Sequence, residues 1–309
     1  MAVVLLVLGF GLLALYIFTR KTNPLDNIPG PKPLPLIGNT LQLDISTLYL
    51  QLRDFAKQYG SIYILHLFNK PVVVVNDHRF IYDVLVKQSA DFAGRPSTFR
   101  SKIMNQELGG IGFTDPGPAH SGRRKVVHSY LKQYGSGIQK IEDITQTATD
   151  DLIHRFAEQK GTPIDVRDYL FHCVTDVIAI LLIEKTLSTE EMKGMKNTLD
   201  TLAVAMTAGN GATLDLCPML RFFGHKTYKQ LRNVVTAKEK LLNDWIDAKP
   251  EGGFLNFLTN MSDNEKRRRF LETRRMQSNL AFEFFVAGVF TTSTTLTVLM
   301  NVLCHYPHV

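Results

Sequence analysis

The sequence predicts a mainly α-helical body with a small β-hairpin near its start. Apolar residues recur at helical spacing in almost every segment after Asp77, and two β-branched runs flank Asn69-Lys70. Neither a repeat nor a βαβ alternation is present, which disfavours a parallel-sheet enzyme. The 309 residues are 45% hydrophobic and 21% charged, enough to build a core and unlike a disordered or low-complexity chain. Lys and Arg number 35 against 29 Asp and Glu, a net charge of +6 that suits an anionic membrane surface or an acidic partner. Nucleic acid is not expected, because the basic run at 266–269, with Arg274 and Arg275 after it, is not interleaved with an aromatic platform. Cys173, Cys217 and Cys304 are too scattered for a disulfide framework or a zinc site, which points to a reducing compartment. All three are expected to act as small buried hydrophobes.

Residues 1–19 carry no charge and are followed at once by Arg20 and Lys21. As a helix the run spans about 28 Å, enough for the thin endoplasmic-reticulum membrane. A cleaved signal peptide would need a charged segment before the apolar run and small residues at a cleavage site, and neither is present. Positive charge on the C-terminal flank alone predicts a single-pass anchor with the body in the cytosol. Residues 20–39 form a basic stop and a hinge with Pro29, Pro31, Pro33 and Pro35, expected to be extended and stiff, a spacer between membrane and body. Residues 40–309 are read as one domain.

Within it, 48–59 has helical periodicity and stops at Gly60. Residues 61–68 and 71–76 read as strands of a hairpin. Helices are expected over 78–88, 120–132, 138–158, 165–183, 189–207, 226–248 and 263–305. The last is the most informative. Residues 284–304 contain no charge, so the segment could be a second membrane span, giving a non-catalytic two-pass protein. Six hydroxyls, Thr291, Thr292, Ser293, Thr294, Thr295 and Thr297, and the charged turns before it favour a helix buried in a protein core. Ala287-Gly288 removes side-chain bulk from one turn, for a flat ligand or for close contact with another helix.

Taken in order, an apolar anchor, a Pro-Gly-Pro hinge, a hairpin and helices ending in Ala-Gly-x-x-Thr-Thr resemble a microsomal cytochrome P-450, over essentially the whole chain. Phe92-Ala93-Gly94-Arg95-Pro96 is similar to the family's Phe-x-x-Arg-Pro element, and the segment from Gly117 to Arg124 to its Gly-x-x-Trp-x-x-x-Arg helix, with His120 in place of tryptophan. Ala287-Gly288-Val289-Phe290-Thr291-Thr292 is similar to the oxygen-side helix, with Phe290 where the family usually carries an acid. The Phe92 element and Leu214-Asp215-Leu216-Cys217-Pro218-Met219-Leu220 look most like the steroid 17α-hydroxylase and aryl-hydrocarbon-oxidising branch.

The resemblance implies a P-450 fold and a membrane-bound heme-thiolate monooxygenase. It would hydroxylate a small apolar substrate, a steroid or aromatic, with dioxygen and electrons from an NADPH-dependent flavoprotein reductase. The cofactor would be heme b. Arg95, His120 and Arg124 would hold its propionates, since guanidinium pairs with carboxylate through bidentate bonds; the plain alternative for either arginine is a solvated surface charge. Ala287, Gly288 and Thr291 would face the heme, Thr291 and Thr292 would carry protons, and Phe113, Val204 and Ala287 would line the substrate pocket or serve as plain core. The family's ligand loop, Phe-x-x-Gly-x-x-x-Cys-x-Gly, is absent from these 309 residues, so no metal ligand is assigned and the chain is expected to be an inactive N-terminal part of such an enzyme. Glu272-Thr273-Arg274-Arg275 fits Glu-x-x-Arg by composition but precedes the oxygen-side helix and is rejected.

Overall fold

The computed structural model describes residues 24–35, 37–68, 70–104, 109–135, 138–261, 271–306 and 308. The expected anchor at 1–19, the start of the hinge, Asn69 of the expected hairpin and the basic run at 266–269 lie outside them. The chain divides into two compact units, 1–93 and 94–309.

In the first unit, α1 (Leu48–Tyr59) ends at Gly60, whose φ of 97° an L side chain rarely adopts. Strands β1 (Ile62–Leu67) and β2 (Lys70–Val75) pair antiparallel, from Ile62 opposite Val75 to Leu67 opposite Lys70. A short helix, α2 (His78–Tyr82), is capped by Asp77 and runs into a π-helical turn at Asp83–Lys87. The described part of the proline-rich hinge is not a free spacer. The Ile64 N–H donates to the Pro29 carbonyl at 2.9 Å, and buried Asn39 accepts from the His66 N–H at 2.7 Å while donating to the Pro31 carbonyl at 3.0 Å. Proline's missing donors leave this segment's carbonyls and one asparagine to satisfy the edge of β1.

The second unit is all helix among the described residues. Its elements are α3 (Phe99–Ile103), α4 (Pro118–Gly135), α5 (Ile138–Glu158), α6 (Val166–Ile183), α7 (Thr189–Met206), α8 (Ala208–Leu216), α9 (Lys226–Asp247), α10 (Gly253–Thr259) and α11 (Arg274–His305). Five of the predicted helices appear within a few residues of their expected ends. α3, α8, α10 and the 3-10 turn at Pro218–Phe223 were not anticipated, being too short to show a period. α6 is apolar almost all round, and α5, α10 and α11 pack against it. α9 lies against α7 and α11, with Trp245 buried and its indole N–H donating to Glu191 Oε1 at 2.9 Å. Tyr130 of α4 donates to the Leu181 carbonyl at 2.6 Å and packs its ring against Phe254, Phe257 and Phe284, joining four helices.

Three expectations are corrected. α11 starts at Arg274 rather than 263, because Thr273 is extended and its side chain accepts from the Met276 N–H as an N-cap. Only its first half is a core helix: Leu280, Ala281, Phe285 and Val289 are buried, but past Ser293 the exposed residues include Val298, Leu299, Val302 and Leu303. Of the cysteines, Cys173 is half-buried and Cys217 and Cys304 are exposed, so the buried-hydrophobe role fails for two of the three.

Candidate functional site

A cavity of about 680 Å³ lies in the second unit between α4, α6, α7 and α11. Val127 and Leu131 come from α4, Ile178 and Leu181 from α6, Leu202 from α7, and Leu280, Phe284 and Ala287 from α11; Glu283 is the charged side chain in the wall. The spacing 127, 131 and the spacing 280, 284, 287 are single stripes on their helices. Extended one turn the α4 stripe passes through Arg124 and extended two turns through His120, and the α11 stripe extended one turn passes through Thr291.

Residues 109–115 close one side and are held by three charged groups. Glu283 Oε2 accepts from the Ile111 N–H at 2.6 Å and the Gly112 N–H at 3.2 Å. Arg123, 5% exposed, donates to the Gly110 carbonyl at 3.0 Å. Arg95 donates from its backbone N–H to Asp115 Oδ1 at 2.7 Å and from Nε to the Gly112 carbonyl at 3.2 Å. Burial pushes the Glu283 carboxyl up and the Arg123 guanidinium down from their ordinary values, each partly countered by the other's charge. A second buried cation, Lys238, lies 3% exposed beside them on α9. Its Nζ donates to Asn279 Oδ1 at 2.7 Å and lies 3.4 Å from the Met104 carbonyl, and burial lowers its pKa to about 8.

The structure brings together Phe113, Ala287 and Gly288, all of which line the cavity. Val204 does not line it. It is 46% exposed, and Leu202, two residues earlier, fills the inward position on α7. Gly288 has the close helix contact: a Cβ there would lie 2.6 Å from Ile178 Cδ1. Arg124 is exposed, without an ion pair among the described residues, and His120 is half-buried. Thr291 and Thr292 are exposed, and the Thr291 hydroxyl donates to the Ala287 carbonyl at 2.6 Å. Sequence reasoning missed Arg123, Glu283 and Lys238. The first was findable, since Val126 and Tyr130 lie three and seven residues on and are buried, which sets the inward face of α4.

The cytochrome P450 sequence pattern matches residues 28–309. The chain belongs to the cytochrome P450 family. This P450 is similar to the steroid 17-alpha-hydroxylase/17,20 lyase of Felis catus, 27% identical over 95% of this chain and 61% of that protein. The protein of the same name from Rana dybowskii is 29% identical over 89% and 56%, and cytochrome P450 2C38 of Mus musculus 26% over 91% and 59%. The P450 chain thus spans about three-fifths of the length of the curated relatives it matches. Among solved structures, a zebrafish cytochrome P450 with progesterone superimposes with a TM-score of 0.69 at 25% identity, over 84% of this chain and 60% of that one. The likeness to the steroid 17α-hydroxylase branch read from the sequence is therefore shown, as is the fold.

The family implies heme, and residue types that could meet its apolar face and its propionates are present. Arg124, His120 and the exposed hydroxyl of Thr291 continue two stripes whose other ends line an apolar cavity, as a flat apolar group with a dianionic rim requires. An axial thiolate is not offered here. Cys173 lies 3.4 Å from the Ala148 carbonyl with its thiol pushed up by burial, and none of the three cysteines lines the cavity. No cluster of metal-ligating side chains occurs among the described residues. Glu272-Thr273-Arg274-Arg275 is structural: Thr273 caps α11, Arg274 pairs with Asp247 at 2.8 Å and Arg275 with Glu239 at 3.6 Å.

Proposed function

We propose that the chain forms the substrate-side portion of a heme-dependent monooxygenase acting on a small apolar molecule of steroid or aromatic type. The observation that carries this reading is the cavity, apolar apart from Glu283, whose two helix stripes run on into Arg124 with His120 and into Thr291. Bound heme would activate dioxygen for insertion of one oxygen atom into a C–H bond. Arg124, His120 and Arg95 would hold the propionates. Ala287, with only a methyl group, would leave room for the heme, and Leu202 and Phe284 would exclude water from the substrate. Thr291 donates its one hydroxyl hydrogen to the Ala287 carbonyl, so toward water it is a hydrogen-bond acceptor, and it would donate to a bound group only by releasing that carbonyl. Phe290 cannot titrate, so protons reach the site through Thr291, Thr292 and water.

The relatives' names, a steroid hydroxylase among them, and the progesterone in the zebrafish structure support a steroid-sized ligand. We place the chain in the endoplasmic-reticulum membrane through 1–19, body in the cytosol, with electrons from an NADPH-dependent flavoprotein reductase. A second span is less well supported, although an 18-residue window of α11 has a mean hydropathy of 1.5 and is only 11% buried. The family match continues through α11 to residue 309.

Heme titration tests the proposal. Added heme should bind with a shifted Soret band, Arg124→Ala should weaken binding by about tenfold, the worth of one charge-assisted hydrogen bond, and His120→Trp should strengthen it. Equal binding by all three proteins would remove α4 from the heme site.

A further inference from the structure

Arg100 is a buried, heavily engaged side chain in the second unit that the site does not use. It is 8% exposed, and its Nε donates to Asp215 Oδ2 at 2.8 Å. Its Nη1 donates to the carbonyls of Ala205 at 2.9 Å and Thr207 at 2.8 Å, and its backbone N–H to Asp215 Oδ1 at 2.9 Å. The Ala205 carbonyl lies in the open last turn of α7, which no backbone N–H of α7 can satisfy, and Thr207 is the extended joint residue that ends α7 and precedes α8. Gly211 of α8 leaves the room: a Cβ at that position would lie 2.6 Å from Arg100 Cδ and 2.7 Å from the Ala205 carbonyl. One side chain of α3 therefore fixes the corner where α7 turns into α8. The cavity wall depends on that corner, because Leu202 stands one turn before Ala205 on α7.

We propose that Arg100 is a positioning residue that latches the α7–α8 corner against α3 and thereby sets how readily an apolar ligand enters and leaves the cavity. The proposal deepens the reading of the cavity as a substrate site and rests on it. An arginine suits the task because three acceptors, Asp215 Oδ2, Ala205 O and Thr207 O, surround one planar fork. A lysine offers one nitrogen to the same three.

Hydrogen exchange on the ligand-free chain tests the latch without reference to any substrate. In Arg100→Gln, and in Gly211→Ala, which crowds the guanidinium while keeping its charge, amides of residues 200–216 should exchange about tenfold faster or more, with α6 unchanged. Arg100→Lys should fall between wild type and Gln. Faster exchange confined to 98–104, or raised equally in α6, would overturn the proposal, since the first marks a local contact and the second a general loss of stability. With progesterone as the probe, dissociation should quicken about tenfold in both variants while affinity changes less than about threefold, because a latch acts on entry and exit together. An unchanged dissociation rate would also overturn it. If the wild-type chain binds no progesterone, the substrate reading fails, while the exchange experiment still decides the latch.

Discussion

Replacing Glu283 with alanine should lower stability by about 2–4 kcal/mol at pH 7 and loosen residues 109–113. Two backbone N–H groups lose a charged acceptor, each bond being worth about 1.5–3 kcal/mol, and Arg123 stays buried without the carboxylate that offsets it. Relief of the carboxylate's own desolvation works in the other direction and keeps the loss below the sum of the parts. The sign with pH follows from the raised carboxyl. The folded state holds the Glu283 proton above the unfolded value of 4.5, so this group's contribution to stability falls as pH rises through the folded pKa. Glu283→Gln removes that slope. Urea unfolding of wild type and both variants at pH 5 and 7 measures each effect; an alanine variant within about 0.5 kcal/mol of wild type, the usual span for an inert surface change, would show that Glu283 does not pin the loop.

Lys238 should make the protein more stable, not less, between about pH 8 and pH 10.5. Its folded pKa of about 8 lies below the ordinary 10.5, so across that window the unfolded chain binds the additional proton and stability rises with pH. The ceiling is roughly 3 kcal/mol, from about 1.4 kcal/mol per pKa unit. Burial is the dominant cause; Glu239 and Glu283 raise the pKa and Arg275 lowers it. Lys238→Met should flatten the rise. It also leaves Asn279 Oδ1 and the Met104 carbonyl without their donor, at about 1–3 kcal/mol for each buried acceptor, so the variant is not simply stabilised at neutral pH. The difference between the two proteins' urea midpoints at pH 7.5, 9 and 10 isolates this lysine from other groups that titrate there. Parallel curves would contradict the assignment.

Much of the fold was legible because long amphipathic segments and caps are local signals. Gly60, Asp165 and the run at 138–158 fixed their boundaries through side chains a few residues apart. The start of α11 was misread because the charged run before it contains no glycine or proline to break a helix, whereas Thr273 decides the boundary by one hydrogen bond. The site was legible only where a motif names single residues. Ala287, which the Ala-Gly-x-x-Thr-Thr element names, does line the cavity, but the motif singles out Arg124 where helical spacing to Val126 and Tyr130 marks Arg123 as the buried arginine, and it does not show that Leu202 rather than Val204 turns inward. Glu283 and Lys238 carry no local sign at all. Their partners stand 172 and 41 residues away in sequence, and such pairings exist only once the helices have packed.

Equilibrium dialysis of radiolabelled progesterone against the chain and its Ala287→Phe variant tests the central claim most directly. A substrate cavity bounded by α11 predicts one saturable site per chain with micromolar affinity, about 8 kcal/mol, lost by at least about tenfold when a phenyl ring fills the space beside Gly288. Non-saturable uptake, or equal binding by the two proteins, would contradict it.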